Sequence, residues 1–206
     1  MLVLAYQMMS QCAAPYLKEV MDIFNETALE IGEGQQYDME FETRNDVTEA
    51  EYLEMIRLKT SVLLAASLQI GAVQGGASPE DARLLYDFGV QLGLAFQLQD
   101  DYLDVYGDPA IFGKKIGGDI LCNKKTYMLI NALQRADKEQ RAELDRWIAA
   151  TEYNPEEKVR AVTALYDAIG IKELCHRKIE SYFHAAEECL AKVSVPDERK
   201  QELRNF

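Results

Sequence analysis

Apolar residues recur at three- and four-residue spacing along almost the whole chain, and strand-like alternation is almost absent. Tyr52, Met55, Ile56, Leu63, Ala66, Ile70 and Val73 form one such stripe. A face of this period is buried by other helices, so the expected fold is all-α, a helical bundle. With 206 residues and 48% hydrophobic content, the chain can build one core-bearing domain over residues 1–206.

Punctuation sets the helix boundaries. Met1 to about Cys12 is helical, but it opens on apolar residues with no capping signal, which points to helices missing upstream. Ala14 to about Ile31 follows, and Gly32-Glu33-Gly34 is expected to interrupt it. Phe41 to Asp46 is polar and turn-like. Thr48, with acids behind it, opens a helix to about Val73, closed by Gln74-Gly75-Gly76. Ser78-Pro79-Glu80-Asp81 is a start signal for a central helix reaching Tyr106. Further helices are expected over Tyr127–Ala136, Lys138–Ala149, Pro155–Ile169, Gly170 to about Val193, and Pro196–Phe206.

Composition removes several function classes. A formal net charge of -13 argues against nucleic acid as a partner. No run of eighteen apolar residues occurs, so no membrane span is expected, and the apolar start lacks the basic leader of a signal peptide. Cys12, Cys122, Cys175 and Cys189 show neither CxxC pairing nor disulfide spacing, and with two histidines a zinc site is not expected. His176 and His184 read as surface or packing residues. Scattered thiols fit a cytoplasmic protein.

The chemistry concentrates in Phe96-Gln97-Leu98-Gln99-Asp100-Asp101-Tyr102-Leu103-Asp104. Asp100 and Asp104 share a helix face, with Asp101 about 100° around. Repulsion between such neighbours needs compensation, which hard divalent cations supply. Gly89, Gly93 and Gln97 lie on the same face as Asp100 and Asp104. A helical glycine costs ~1 kcal/mol against alanine, so two of them there indicate a face that leaves room for something. Close helix–helix packing, with the acids on the solvent edge, is the competing reading. After Asp108-Pro109 comes Gly113-Lys114-Lys115-Ile116-Gly117-Gly118-Asp119-Ile120-Leu121-Cys122-Asn123-Lys124-Lys125-Thr126, with four lysines and three glycines. Metal-holding carboxylates followed by lysines on a glycine-rich loop suit a polyphosphate substrate. Lys59 falls on the apolar stripe, where it must snorkel, pair with a carboxylate, or meet an anionic ligand.

FQLQDDYLD, GDP and GKKIGGDILCNKKT, in this order, resemble the second aspartate-rich motif and lysine loop of trans-isoprenyl diphosphate synthases, the polyprenyl synthetases. Gly34-Gln35-Gln36-Tyr37-Asp38 resembles their GQxxD signature, and Lys59-Thr60 their KT dipeptide. The resemblance implies a helical bundle of the isoprenoid synthase type. It also implies Mg²⁺-dependent, head-to-tail condensation of isopentenyl diphosphate with an allylic prenyl diphosphate. Asp100, Asp101 and Asp104 would be Mg²⁺ ligands. Lys59 and Thr60 would contact the allylic diphosphate, and Gln97, beside Phe96, would face the reacting chain. Lys114 (or Lys115) and Lys124 would close over the diphosphate, and Gln35 and Asp38 would back the region. The family implies a homodimer.

One departure stands out. The first aspartate-rich motif of such enzymes is absent; Asp22, Asp38, Asp119 and Asp145 stand alone. The expectation is the C-terminal part of a longer synthase, its N-terminal helices missing and the chain alone inactive. Two other readings stay open. A terpene-cyclase-like diphosphate lyase would lack the KT dipeptide and this form of lysine loop. A non-catalytic helical subunit would tend to lose the aspartates that this chain keeps.

Overall fold

The computed structural model describes residues 2–108 and 116–205, and the described residues contain helices and no strand. In order these are α1 (Leu2–Met9), α2 (Ala14–Phe41), α3 (Glu49–Ile56), a π-helical turn (Arg57–Ser61), α4 (Val62–Gln74) and α5 (Pro79–Tyr106). Then follow α6 (Gly118–Leu121), α7 (Tyr127–Arg135), α8 (Lys138–Ala149), α9 (Pro155–Ile169), α10 (Ile171–Lys192) and α11 (Asp197–Asn205). The chain divides into two compact units, one of Met1–Tyr37, Met55–Ala95 and Ser181–Phe206, the other of Asp38–Glu54 and Phe96–Glu180.

In the first unit, Phe88 packs with Ala186, Leu190 and Val193, and Val20 with Val73 and Ala82. The Ser78 hydroxyl accepts from the Asp81 amide at 3.1 Å, capping α5, and Pro79 sets its first turn. Asp81 in turn accepts from the Ser194 amide at 2.7 Å, tying that helix start to the end of α10.

The expected break at Gly32-Glu33-Gly34 does not occur; α2 runs through it to Phe41. Gly34 explains why. A Cβ there would lie 2.4 Å from the Lys59 amide nitrogen, so the bare backbone of α2 seats directly on the π-helical turn. Close packing outweighs a propensity cost of ~1 kcal/mol. The glycines of α5 do the same. A Cβ on Gly89 would come within 2.5 Å of Ala65 Cα, and one on Gly93 within 2.6 Å of Ser61 Cα. These glycines admit a neighbouring helix, not a ligand, and the packing reading of that face is the right one for them.

The π-helical turn also shifts the apolar stripe. Leu63, expected on the buried face, is 53% exposed, while Leu58, Val62 and Ala65 are buried. The turn disturbs the 3.6-residue period locally, and the expected stripe resumes beyond it, with Ala66 and Val73 buried. The segment Glu49–Gln74 is long and apolar enough, by length and composition, to cross a membrane. Met55, Ile56, Leu58, Val62, Ala65, Ala66 and Val73 along it are buried in the protein interior.

In the second unit the caps anticipate the helices well. Thr48 and Glu51 form a reciprocal cap on α3 (Glu51 N to Thr48 Oγ1 3.2 Å, Thr48 N to Glu51 Oε2 2.8 Å). Asp137 with Gln140 caps α8, and Asn154-Pro155 opens α9. Gly170, at φ 82°, ends α9 in the left-handed conformation. The observed bounds of α8 and α9 are those expected. Helix α9 packs against α6, α7 and α8. Leu98, Val105, Met128, Leu144, Val162, Tyr166, Ile171 and Cys175 form the buried interior of this unit.

Candidate active site

The three aspartates of α5 lie in the second unit, and their surroundings differ. Asp100 and Asp104 are partly exposed, one helical turn apart. Asp101 is 1% exposed. Its Oδ2 accepts from the Tyr52 hydroxyl, its Oδ1 from Gln97 Nε2 at 3.3 Å, and Lys124 Nζ stands 3.8 Å away. Burial pushes the Asp101 carboxyl up, Lys124 and Tyr52 pull it down, and the balance leaves it at about 6. The same burial, with Asp101 beside it, holds the Tyr52 phenol well above its usual range. For Asp101, then, the protein itself provides much of the compensation that the sequence pattern assigned to a cation.

The chain after α5 returns to Asp104. Gly117 N donates to the Asp104 carbonyl at 2.5 Å, and Asp119 N donates to Asp104 Oδ2 at 2.9 Å. Gly117 makes this return possible, with φ 86° and no room for a Cβ, which would lie 2.5 Å from Val159 Cγ2. Lys124 then closes the loop: its amide donates to the Asp119 carbonyl at 3.0 Å, and its ammonium lies 3.4 Å from Asp119 Oδ1. Burial alone would lower the Lys124 pKa; Asp101, Asp119 and, further off, Asp38 outweigh it and raise it. Burial raises Asp119, Lys124 opposes, and Asp104 and Asp100 add to the rise.

Of the residues expected at a site, Gln97, Asp100, Asp101, Asp104, Lys124 and Asp38 therefore belong to the second unit, as does Phe96, which is 62% exposed. Gln35, Lys59 and Thr60 belong to the first; Gln35 is exposed, and Lys59 and Thr60 are half-buried on the π-helical turn. Lys114 and Lys115 lie outside the described residues. Asp119 was not foreseen as a site residue. The available signal was an acid placed among lysines straight after Gly117-Gly118.

Among the described residues no group of three or more His, Cys, Asp or Glu side chains is arranged to hold a metal by itself. Mg²⁺ does not require such a cage; it is commonly held by one or two carboxylates, with substrate phosphate oxygens and water completing the octahedron. Asp100 and Asp104 are the carboxylates that could serve in this way. Asp104 is held from one side by the Asp119 amide, and Gly118 keeps its Oδ1 uncrowded, since a Cβ there would approach within 3.3 Å. This donor set fits a magnesium ion shared with a polyphosphate.

The sequence profile of the polyprenyl synthetase family matches residues 1–166. The short chain isoprenyl diphosphate synthase of Methanothermobacter thermautotrophicus is 39% identical over 184 residues, covering 89% of this chain and 56% of that protein. A crystal structure of a geranylgeranyl pyrophosphate synthase superposes with a TM-score of 0.91 at 41% identity, over 98% of this chain and 63% of that one. The geranylgeranyl pyrophosphate synthase of Corynebacterium glutamicum, solved in complex with isoprenyl diphosphate and magnesium, superposes with a TM-score of 0.89 at 31% identity, over 99% of this chain and 58% of that one. The chain thus spans less than two thirds of the length of each of these relatives. By profile, identity and fold, the chain belongs to the polyprenyl synthetase family.

Proposed function

We propose that this chain supplies the diphosphate-ionising side of a short-chain prenyltransferase, which joins isopentenyl diphosphate head-to-tail to an allylic prenyl diphosphate. The observation that carries this reading is the cluster around Asp119, which feels Asp100 and Asp104 on one hand and Lys124 on the other, Lys124 being a cation held between Asp101 and Asp119. Mg²⁺, bound by those two carboxylates, would stabilise the charge that develops on the departing pyrophosphate. Lys124, kept protonated by its acidic neighbours, meets the same charge from the loop side. Asp101 serves Lys124 as a counter-charge and does not compete for the ion. Gln97, fixed by its hydrogen bond to Asp101, orients the reacting end of the substrate. Lys59 and Thr60 bind the allylic diphosphate.

The sequence holds one aspartate-rich motif of this kind. The 206-residue chain alone is accordingly proposed to take up Mg²⁺ and pyrophosphate weakly and not to condense prenyl units. A homodimeric, cytoplasmic enzyme is the setting in which the reading places it. Calorimetry with Mg²⁺ and inorganic pyrophosphate tests the site directly. Mg²⁺-dependent pyrophosphate uptake is expected, and Asp100→Asn should abolish it; no uptake by the unaltered chain at millimolar ligand would sink the reading.

A further inference from the structure

Lys158 lies far in sequence from the motifs above and is 1% exposed. A buried ammonium is tolerated only where polar groups receive it. Here the recipients are the Asn123 side-chain carbonyl, at 2.8 Å from Lys158 Nζ, and the face of Tyr153, 4.4 Å from its ring centre. Both lead to the loop that ends in Lys124. Tyr153 donates its hydroxyl to the Leu121 carbonyl at 3.2 Å, at the end of α6. Asn123 is the one non-glycine residue with positive φ among the described residues, at φ 51°. Its side-chain Nδ2 also donates to the Ile148 carbonyl at 3.1 Å, so the side chain is gripped from two sides. The next residue is Lys124, whose amide bonds the Asp119 carbonyl and whose ammonium faces Asp101 and Asp119. The neighbour of Lys158 on α9, Val159, packs on Gly117 at the other end of α6.

We propose that Lys158 is a positioning residue: by gripping Asn123 in its left-handed turn it fixes the direction in which the chain presents Lys124 to Asp101 and Asp119. Asparagine tolerates the left-handed region better than other non-glycine residues but still at a cost that a fixed side chain offsets, whereas glycine adopts the conformation unaided. Burial pushes the Lys158 ammonium below the usual lysine range, as expected for a charge held by neutral partners. The inference bears on catalysis only if Lys124 contacts a diphosphate, and in that sense it rests on the function proposed above.

The test is amide hydrogen exchange, followed residue by residue, on the folded chain. Lys158→Met should lower the protection of the Cys122 and Lys124 amides by about tenfold or more, and leave the middle of α10 unchanged. Adding Asn123→Gly to Lys158→Met should restore that protection, because glycine holds the turn without a grip. Unchanged exchange at those amides in the single variant, or no rescue in the double variant, overturns the proposal. Should Lys158→Met fail to fold, the double variant decides: folding with a protected Lys124 amide supports the role through Asn123, and equal failure to fold overturns it. Inorganic pyrophosphate with Mg²⁺ separates the two readings. If the unaltered chain binds none, the diphosphate function fails while the exchange results still judge the role of Lys158.

Discussion

The hydroxyl of Tyr52 hydrogen-bonds the carboxylate of Asp101 across 49 positions of sequence, with both side chains shut off from solvent. This contact fixes the middle aspartate of the motif and separates its task from that of its neighbours.

Tyr52→Phe removes the hydrogen bond and keeps the ring. Loss of a bond to a buried charged acceptor is expected to cost about 1.5–3 kcal/mol at neutral pH. The pH dependence has a definite sign. The folded Asp101 titrates at about 6, above its unfolded value, so its contribution to stability is fully present below the unfolded pKa and is lost as pH rises through 6. Without Tyr52 the anion is less well stabilised, the folded pKa climbs further, and that loss extends to higher pH. The variant's deficit should be largest above neutrality and shrink toward pH 5. Urea midpoints at two pH values check this; equal deficits at both would contradict it.

Asp100 and Asp101 are adjacent in sequence yet should respond oppositely to truncation. Asp100→Ala is expected to change stability by no more than about 0.5 kcal/mol, as for other substitutions away from a buried network. It should remove Mg²⁺-dependent pyrophosphate uptake. In a full-length enzyme carrying this segment, turnover should fall by about two to three orders of magnitude without unfolding. Asp101→Ala should instead destabilise, by about 1–3 kcal/mol for the stranded Tyr52 hydroxyl alone. Thermal melts and calorimetry on both variants decide. Matching profiles would mean that the aspartates share one role.

Gly117→Ala should be the most damaging small change in the loop. A left-handed residue other than glycine costs about 1–2 kcal/mol, and the new Cβ would meet Val159 at 2.5 Å. Overpacking adds about 1–3 kcal/mol. The Asp119 amide should also lose its bond to Asp104, which hydrogen exchange at that amide would reveal. A variant with unaltered stability and exchange would show that the turn is not held as described.

What could be read from residues alone follows a physical line. Caps and stops are local chemistry, so Ser78-Pro79, Asn154-Pro155 and Gly170 announced helix ends that the structure places where expected. The order and spacing of the aspartates, glycines and lysines announced the family. Tertiary contacts were not legible. Gly34 reads locally as a helix breaker, and only the backbone of Lys59 pressed against it explains why α2 continues. The π-helical turn at Arg57–Ser61 breaks a period that the apolar stripe assumed to be unbroken. The partner of Asp101 lies on another helix, so three acids that looked alike in sequence proved to have different neighbours.

Gly93 and Gly32 turn that distinction into a measurement, because both sit inside helices and only one touches a neighbouring backbone. By propensity alone, alanine at either position should stabilise by ~1 kcal/mol. At Gly32 nothing lies within 4 Å of the added Cβ, so Gly32→Ala should realise most of that gain. At Gly93 the added Cβ would fall 2.6 Å from Ser61 Cα and 2.7 Å from its Cβ, and backbone cannot swing aside as a side chain can. Helix α5 would have to move off the π-helical turn, so the propensity gain should be swamped by an overpacking cost of about 1–3 kcal/mol or more. Urea titrations should therefore give opposite signs for two chemically identical substitutions. If Gly93→Ala stabilised as Gly32→Ala does, the close approach of α5 to the turn bearing Lys59 and Thr60 would be refuted.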